Sequence, residues 1–171
     1  MRTHYFQHVP FEGLLRFDAA NDVWVETGLD RSDISSVAVV ADPDGESVFA
    51  ATFGFEVLGS DGAGPWVDVG GLANMDQIQG GERIHWSTVG EIVSLIEHEN
   101  ALYVATRWGA ILRFPLFDSG LGWNVIPLLE NGPLEDNTGS PVESVNMMVE
   151  FDGQLFIGAE SGLYRLDDIL S

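Results

Sequence analysis

Short apolar runs recur along the chain, each closed by a break rich in Gly, Asp, Asn or Pro. The stretch Ala101–Trp123, ALYVATRWGAILRFPLFDSGLGW, shows the plan: one apolar run, a break containing Gly109, a second run ending near Arg113, and a Gly-rich turn into a tryptophan. The same plan recurs at Ser47–Trp66, at Gln154–Asp168 and, more loosely, at His4–Trp24. Three copies are preceded by a further apolar run, at Ile34–Val40, Glu91–Glu97 and Val142–Phe151. Short polar turns at Asp42-Pro43-Asp44-Gly45, Glu99-Asn100 and Asp152-Gly153 separate these leading runs from the next run, and such turns close hairpins. After three copies a Trp opens one more short strand, at Trp24, Trp66 and Trp123. The predicted unit is four strands in meander order.

Four short antiparallel strands repeated every 40 to 60 residues or so are the mark of a β-propeller, whose blades bury their faces against neighbouring blades. A helical solenoid would need apolar positions three and four apart, which these runs lack. An immunoglobulin-like sandwich does not account for Gly, Arg and Trp recurring in register. The expectation is an all-β chain, residues 1–171 forming a single β-propeller domain of about three to four antiparallel four-stranded blades. The first copy lacks a leading run and the last lacks a Trp strand. Such ragged blades leave sheet edges open to pairing, so completion by oligomerisation is expected, as a homo-oligomer or within a larger assembly.

The turns before Trp carry a family resemblance. DSGLGW (Asp118–Trp123) keeps Asp118, Gly120 and Trp123 at the spacing of the Asp-box, and DGAGPW (Asp61–Trp66) keeps Asp61 and Trp66 with Ala63 at the Gly position. The chain thereby resembles Asp-box, sialidase-type propellers. Leu116 or Gly59 stands at the usual Ser, and Gly122 or Pro65 at the usual Thr. In that family the Asp-box shapes a hairpin away from the catalytic centre, so the resemblance speaks for fold rather than activity.

Charge changes the picture next. The 171 residues hold 27 acidic side chains against 7 basic ones, a formal net charge of −20; all seven basic residues are Arg, and Lys is absent. Hydrophobic residues make up 45% of the chain and the acids are scattered, so this is a folded acidic surface rather than a disordered tail. Self-repulsion of this size is tolerable chiefly at molar salt, where the Debye length falls to about 3 Å. The composition resembles proteins of extreme halophiles, which places the chain in the cytoplasm of a salt-in halophile or in a virion. Such a surface repels phosphate backbones and anionic lipid, so neither nucleic-acid binding nor membrane insertion is expected. Met1–Gly13 shows no basic segment leading into a long apolar run, and no apolar stretch of about 20 residues occurs.

Candidate chemistry is sparse. With no Cys, disulfides and Cys-based metal sites are excluded,. No nucleophile elbow, phosphate-cradling loop or dinucleotide fingerprint occurs. No metal, cofactor or enzymatic activity is expected. DPDGE (Asp42–Glu46) and LEDNTGS (Leu134–Ser140) lack the alternating ligands of a calcium loop and read as turns. Arg16, Arg113 and Arg165 recur once per repeat, point outward and cannot converge, so they are expected to make structural ion pairs. Two long connections, Leu72–Gly90 and Leu129–Pro141, are the expected binding loops. The first carries Met75, Arg83, His85 and Trp86, the second Glu135, Asp136 and Asn137. The expected function is a non-catalytic interaction and assembly module that binds protein partners, such as a surface, turret or tail component of a haloarchaeal virus. The alternative is a glycan-binding or glycoside-active sialidase-like propeller.

Overall fold

The computed structural model describes residues 6–9, 13–42, 45–61, 64–69, 78–79, 82–83, 91–107, 109–116, 123–126, 145–160 and 162–166. Its regular structure is all β. The first sheet comprises β1 (Phe6–Val9), β2 (Gly13–Asp18) and β3 (Val23–Glu26); the second comprises β4 (Ile34–Asp42), β5 (Gly45–Thr52), β6 (Val57–Ser60) and β7 (Val67–Asp68). The third is built from β10 (Ile92–His98), β11 (Ala101–Thr106), β12 (Ile111–Pro115) and β13 (Asn124–Ile126), and the fourth from β14 (Val145–Phe151), β15 (Gln154–Ala159) and β16 (Gly162–Arg165). All four are antiparallel meanders, in the strand order expected from the pattern. A separate hairpin, β8 (Ile78–Gln79) with β9 (Glu82–Arg83), interrupts the connection expected to be a loop.

Local chemistry fixes the hairpins. Glu99 and Asn100 have φ of 48° and 61°, and Asp152 and Gly153 have 52° and 71°. Paired left-handed residues give the turn whose twist matches the flanking strands. Each leading strand is also irregular at one equivalent place, between Ile34 and Ser36, Ile92 and Ser94, and Val145 and Met147. At the far end of the second and third sheets a fully buried Thr closes the turn. Thr52 Oγ1 accepts the Glu56 N–H at 3.3 Å and Thr106 Oγ1 accepts the Ala110 N–H at 3.1 Å.

Successive sheets pack face to face. Leu14 and Leu29 meet Ile34 and Ala50 between the first and second sheets. Ala38, Val40 and Val57 meet Leu95, Leu112 and Trp123 between the second and third. Tyr103 and Ile111 meet Met148 and Ile157 between the third and fourth. The second and third sheets thus each turn one face to the preceding sheet and the other to the following one.

Two polar contacts repeat with this stacking. Leu95 N–H donates to Ser36 Oγ at 3.0 Å, and Met148 N–H donates to Ser94 Oγ at 3.1 Å, so each leading-strand Ser holds the backbone of the next leading strand. On the last strands, Trp66 Nε1–H donates to Thr27 O at 2.9 Å and Trp123 Nε1–H to Val69 O at 2.7 Å, each indole reaching back to the preceding sheet. Ser94→Ala should therefore lower stability by about 1–3 kcal/mol, because the buried Met148 N–H loses its acceptor. Thermal melting in molar KCl reads this loss, and an unchanged melting temperature would contradict the contact.

Candidate interaction surfaces

Cross-strand partners in an antiparallel sheet point to the same face, so register assigns every side chain to the predecessor or successor side. On the successor side, Ser36, Ala51 and Val57 form one row of the second sheet, and Ser94, Ala105 and Ile111 the matching row of the third. Val57 and Ile111 are both fully buried, at 0% exposure. In the fourth sheet that row is Met147, Gly158 and Leu163, with Met147 54% and Leu163 69% exposed. The next rows add Val149, Phe156 and Arg165, then Phe151 and Gln154. Val149 and Phe151 are also exposed. These rows hold no carboxylate, in a chain with 27 of them. Acidic side chains of β14 and its turn, Glu150 and Asp152, fall outside these rows.

The predecessor side of the first sheet repeats the register of the later sheets. Leu15 occupies the register position of Leu58 and Leu112, and Phe17 and Trp24 are cross-strand partners. The Phe17 and Trp24 rings lie 5.3 Å apart at 54°, close to the 5.2 Å and 43° of Phe114 and Trp123. Trp123 is fully buried against the second sheet, whereas Trp24 is 43% exposed. The sequence register of the tryptophans therefore holds, but their environments differ with position in the stack.

A cleft of about 240 Å³ lies between the first two sheets, bounded by Phe6, Arg16, Glu26, Ser60 and Trp66. Arg16 stands there in register with Arg113 and Arg165. Register puts all three on the successor side of their sheets, with Arg16 exposed and Arg113 and Arg165 half-buried. Arg113 Nε–H donates to the Tyr103 hydroxyl at 3.2 Å rather than to an acid. Ion pairs among the described residues include those of Arg31, which meets Asp33 at 2.9 Å and Glu56 at 2.8 Å, and of Arg107, which meets Glu91 at 3.0 Å. Bonding to Asp33 and then to Glu56 holds the Arg31 guanidinium more firmly protonated than usual. Desolvation, with the Glu56 charge second, pushes the Asp68 carboxyl above the usual carboxylate range. His98 Nδ1 lies 3.1 Å from Glu150 Oε2, bridging the third and fourth sheets.

Among the remaining expected site residues, Asp61 shapes the turn before Trp66, its Oδ1 accepting the Gly64 N–H at 2.5 Å while Ser60 Oγ donates to Gly64 O at 3.0 Å. Arg83 belongs to β9, of which only the backbone is described. Met75, His85, Trp86, Asp118, Gly120, Glu135, Asp136 and Asn137 lie outside the described residues. Among the described residues no cluster of three or more His, Asp or Glu could hold a metal ion, and no helix is long and apolar enough to cross a membrane.

No family model and no curated protein matches the chain. Solved structures share its fold. Sqt1 of Saccharomyces cerevisiae superposes with a TM-score of 0.54 at 10% identity over 95% of this chain and 39% of its own. The extracellular domain of a protein described as a hybrid two-component system of B. thetaiotaomicron gives 0.54 at 17% identity, over 95% of this chain and 24% of that one. The chain thus spans well under half the length of these structural neighbours. At such identities the likeness concerns the fold alone: an all-β protein of small antiparallel sheets.

Proposed function

We propose that this chain is a non-catalytic interaction and assembly module, its four sheets serving as the blades of a small β-propeller-like fan that self-associates and binds protein partners. The single observation that carries this reading is the register of Leu163, open to solvent where Val57 and Ile111 are buried. Exposed apolar faces of this kind mark interaction sites, and the rows hold no carboxylate, which leaves Arg165 as the charged side chain to be desolvated when they are covered,. Blade character is supported by the serial face-to-face packing and by the Ser and Trp contacts that recur with it. The charge of −20 and the missing Lys support a haloarchaeal source or a virus of such a host, with a surface, turret or tail component as the setting.

Mass in solution tests the assembly. Light scattering behind a sizing column in molar KCl should return a discrete multiple of 18.6 kDa; a single-chain mass across the accessible concentration range would overturn the reading. A second reading, a glycan-binding propeller, rests on the cleft that gathers Arg16, Glu26 and Trp66. Specific sugar binding that Arg16→Ala abolishes would favour it.

A further inference from the structure

The assembly reading leaves open which surfaces meet, and the register narrows the choice. Inside the chain, every sheet-to-sheet contact joins a successor face to a predecessor face. Val57 and Ile111 supply the successor side at equivalent positions, both at 0% exposure. Leu112 with the Phe114–Trp123 aromatic pair supplies the predecessor side of the third sheet. One half of such a contact is repeated at each end of the described stack, with Leu163 exposed at one end and Trp24 at the other. Leu163 occupies the Val57 position on the fourth sheet, and Leu15 with the Phe17–Trp24 pair reproduces the third sheet's predecessor face on the first. Among the described residues the two halves are not joined: Leu163 is 69% and Trp24 43% exposed, and each of the three core clusters joins only consecutive sheets.

Resting on that assembly reading, we infer that the occupant of the fourth-sheet face is the first sheet of a second copy of this chain, packed head to tail as one more sheet-to-sheet contact. One local feature fits such a junction. At the position where Ser36 and Ser94 accept a neighbouring backbone N–H, the fourth sheet carries Met147. A Ser serves that position when a following leading strand offers an N–H. The first sheet has no strand beyond β1 among the described residues, and an apolar, adaptable side chain is what remains useful there. Contacts of this type are heterologous: the two surfaces differ, so an open assembly keeps one free half of each kind, one at either end, until a ring closes.

This asymmetry gives a decisive experiment. Leu163→Asp destroys the tail surface and Trp24→Asp the head, and both side chains are exposed, so folding should be retained. Circular dichroism and melting in molar KCl check that; Leu163→Ser and Trp24→Gln replace them if either variant melts early. Each variant alone should be monomeric. Mixed in equal amounts, they should form a 1:1 dimer and nothing larger, because the intact head of one chain meets the intact tail of the other. A wild-type oligomer that either single variant leaves unchanged, or a mixture that stays monomeric while wild type assembles, overturns the head-to-tail contact but leaves self-association standing. Loss of assembly in Leu163→Asp alone, with Trp24→Asp unaffected, would mean that two fourth sheets meet each other instead. A monomeric wild type would remove both readings together.

Discussion

Trp123→Ala should cost about 3–5 kcal/mol, the loss expected when a fully buried aromatic is cut back to a methyl. Three contributions add here. The indole has no exposed surface, it packs on Phe114 with ring centroids 5.2 Å apart, and its N–H donates to Val69 O at 2.7 Å. For a chain of this length such a loss lowers the melting temperature by roughly 10 °C or more. Trp24→Ala provides the internal comparison. The residue occupies the same place in its repeat and stacks on Phe17 in nearly the same way, yet it is 43% exposed, with no preceding sheet among the described residues to bury it. Measured on dilute, monomeric protein in molar KCl, its cost should stay below about 1 kcal/mol. Equal costs for the two would mean that burial does not follow position in the stack.

The second large effect concerns Gly13, which joins the first sheet to the rest. Its φ is +77°, and a Cβ built there runs into the carbonyl oxygen of Leu29. That carbonyl accepts the Leu14 N–H at 3.0 Å, so Gly13→Ala must move the acceptor of the neighbouring residue. The left-handed backbone alone costs an L-residue about 1–2 kcal/mol, and the displaced hydrogen bond adds about 1 kcal/mol. Gly28 separates these terms, because its φ is also +77° but a Cβ there meets nothing within 4 Å. Gly28→Ala should therefore show only the backbone cost. Hydrogen exchange locates the damage: in Gly13→Ala the amides of β2 and β3 should lose protection while those of β10 and β11 keep theirs. Uniform loss across all four sheets would show that the first sheet is not a separate layer.

Strand order, hairpins and tryptophan register were legible in the sequence because each has a local signal. Short apolar runs, paired turn residues such as Glu99-Asn100, and a Trp recurring at one place in the repeat do not depend on distant neighbours. The directions of the repeated arginines were not legible, since they depend on which side of a strand meets the next sheet. Arg113 consequently finds Tyr103 rather than an acid. The hairpin of β8 and β9 escaped because two-residue strands carry no periodicity. The serine contacts escaped for a different reason: Ser36 and Ser94 look like ordinary polar interruptions of an apolar run until the bulges align them with Met147. Once aligned, the substitution of an apolar residue for a Ser was the available sign that the fourth sheet differs. Val149 and Phe151 resembled any buried strand, because a sequence does not show whether the neighbour that would cover a face is present. Of the expected loop contacts only Arg83 belongs to a described element, and the interaction surfaces proposed above lie on sheet faces.

On this reading Leu163 of the fourth sheet and Trp24 of the first belong to complementary halves of one contact between copies. Hydroxyl-radical footprinting of the wild-type protein across a concentration series in molar KCl tests it most directly. Met147, Leu163 and Trp24 should become protected together as assembly sets in, while Phe53 and Val67, exposed on the second sheet and its turn, remain equally reactive. Unchanged labelling of Met147 and Trp24 in an assembled sample would contradict the claim.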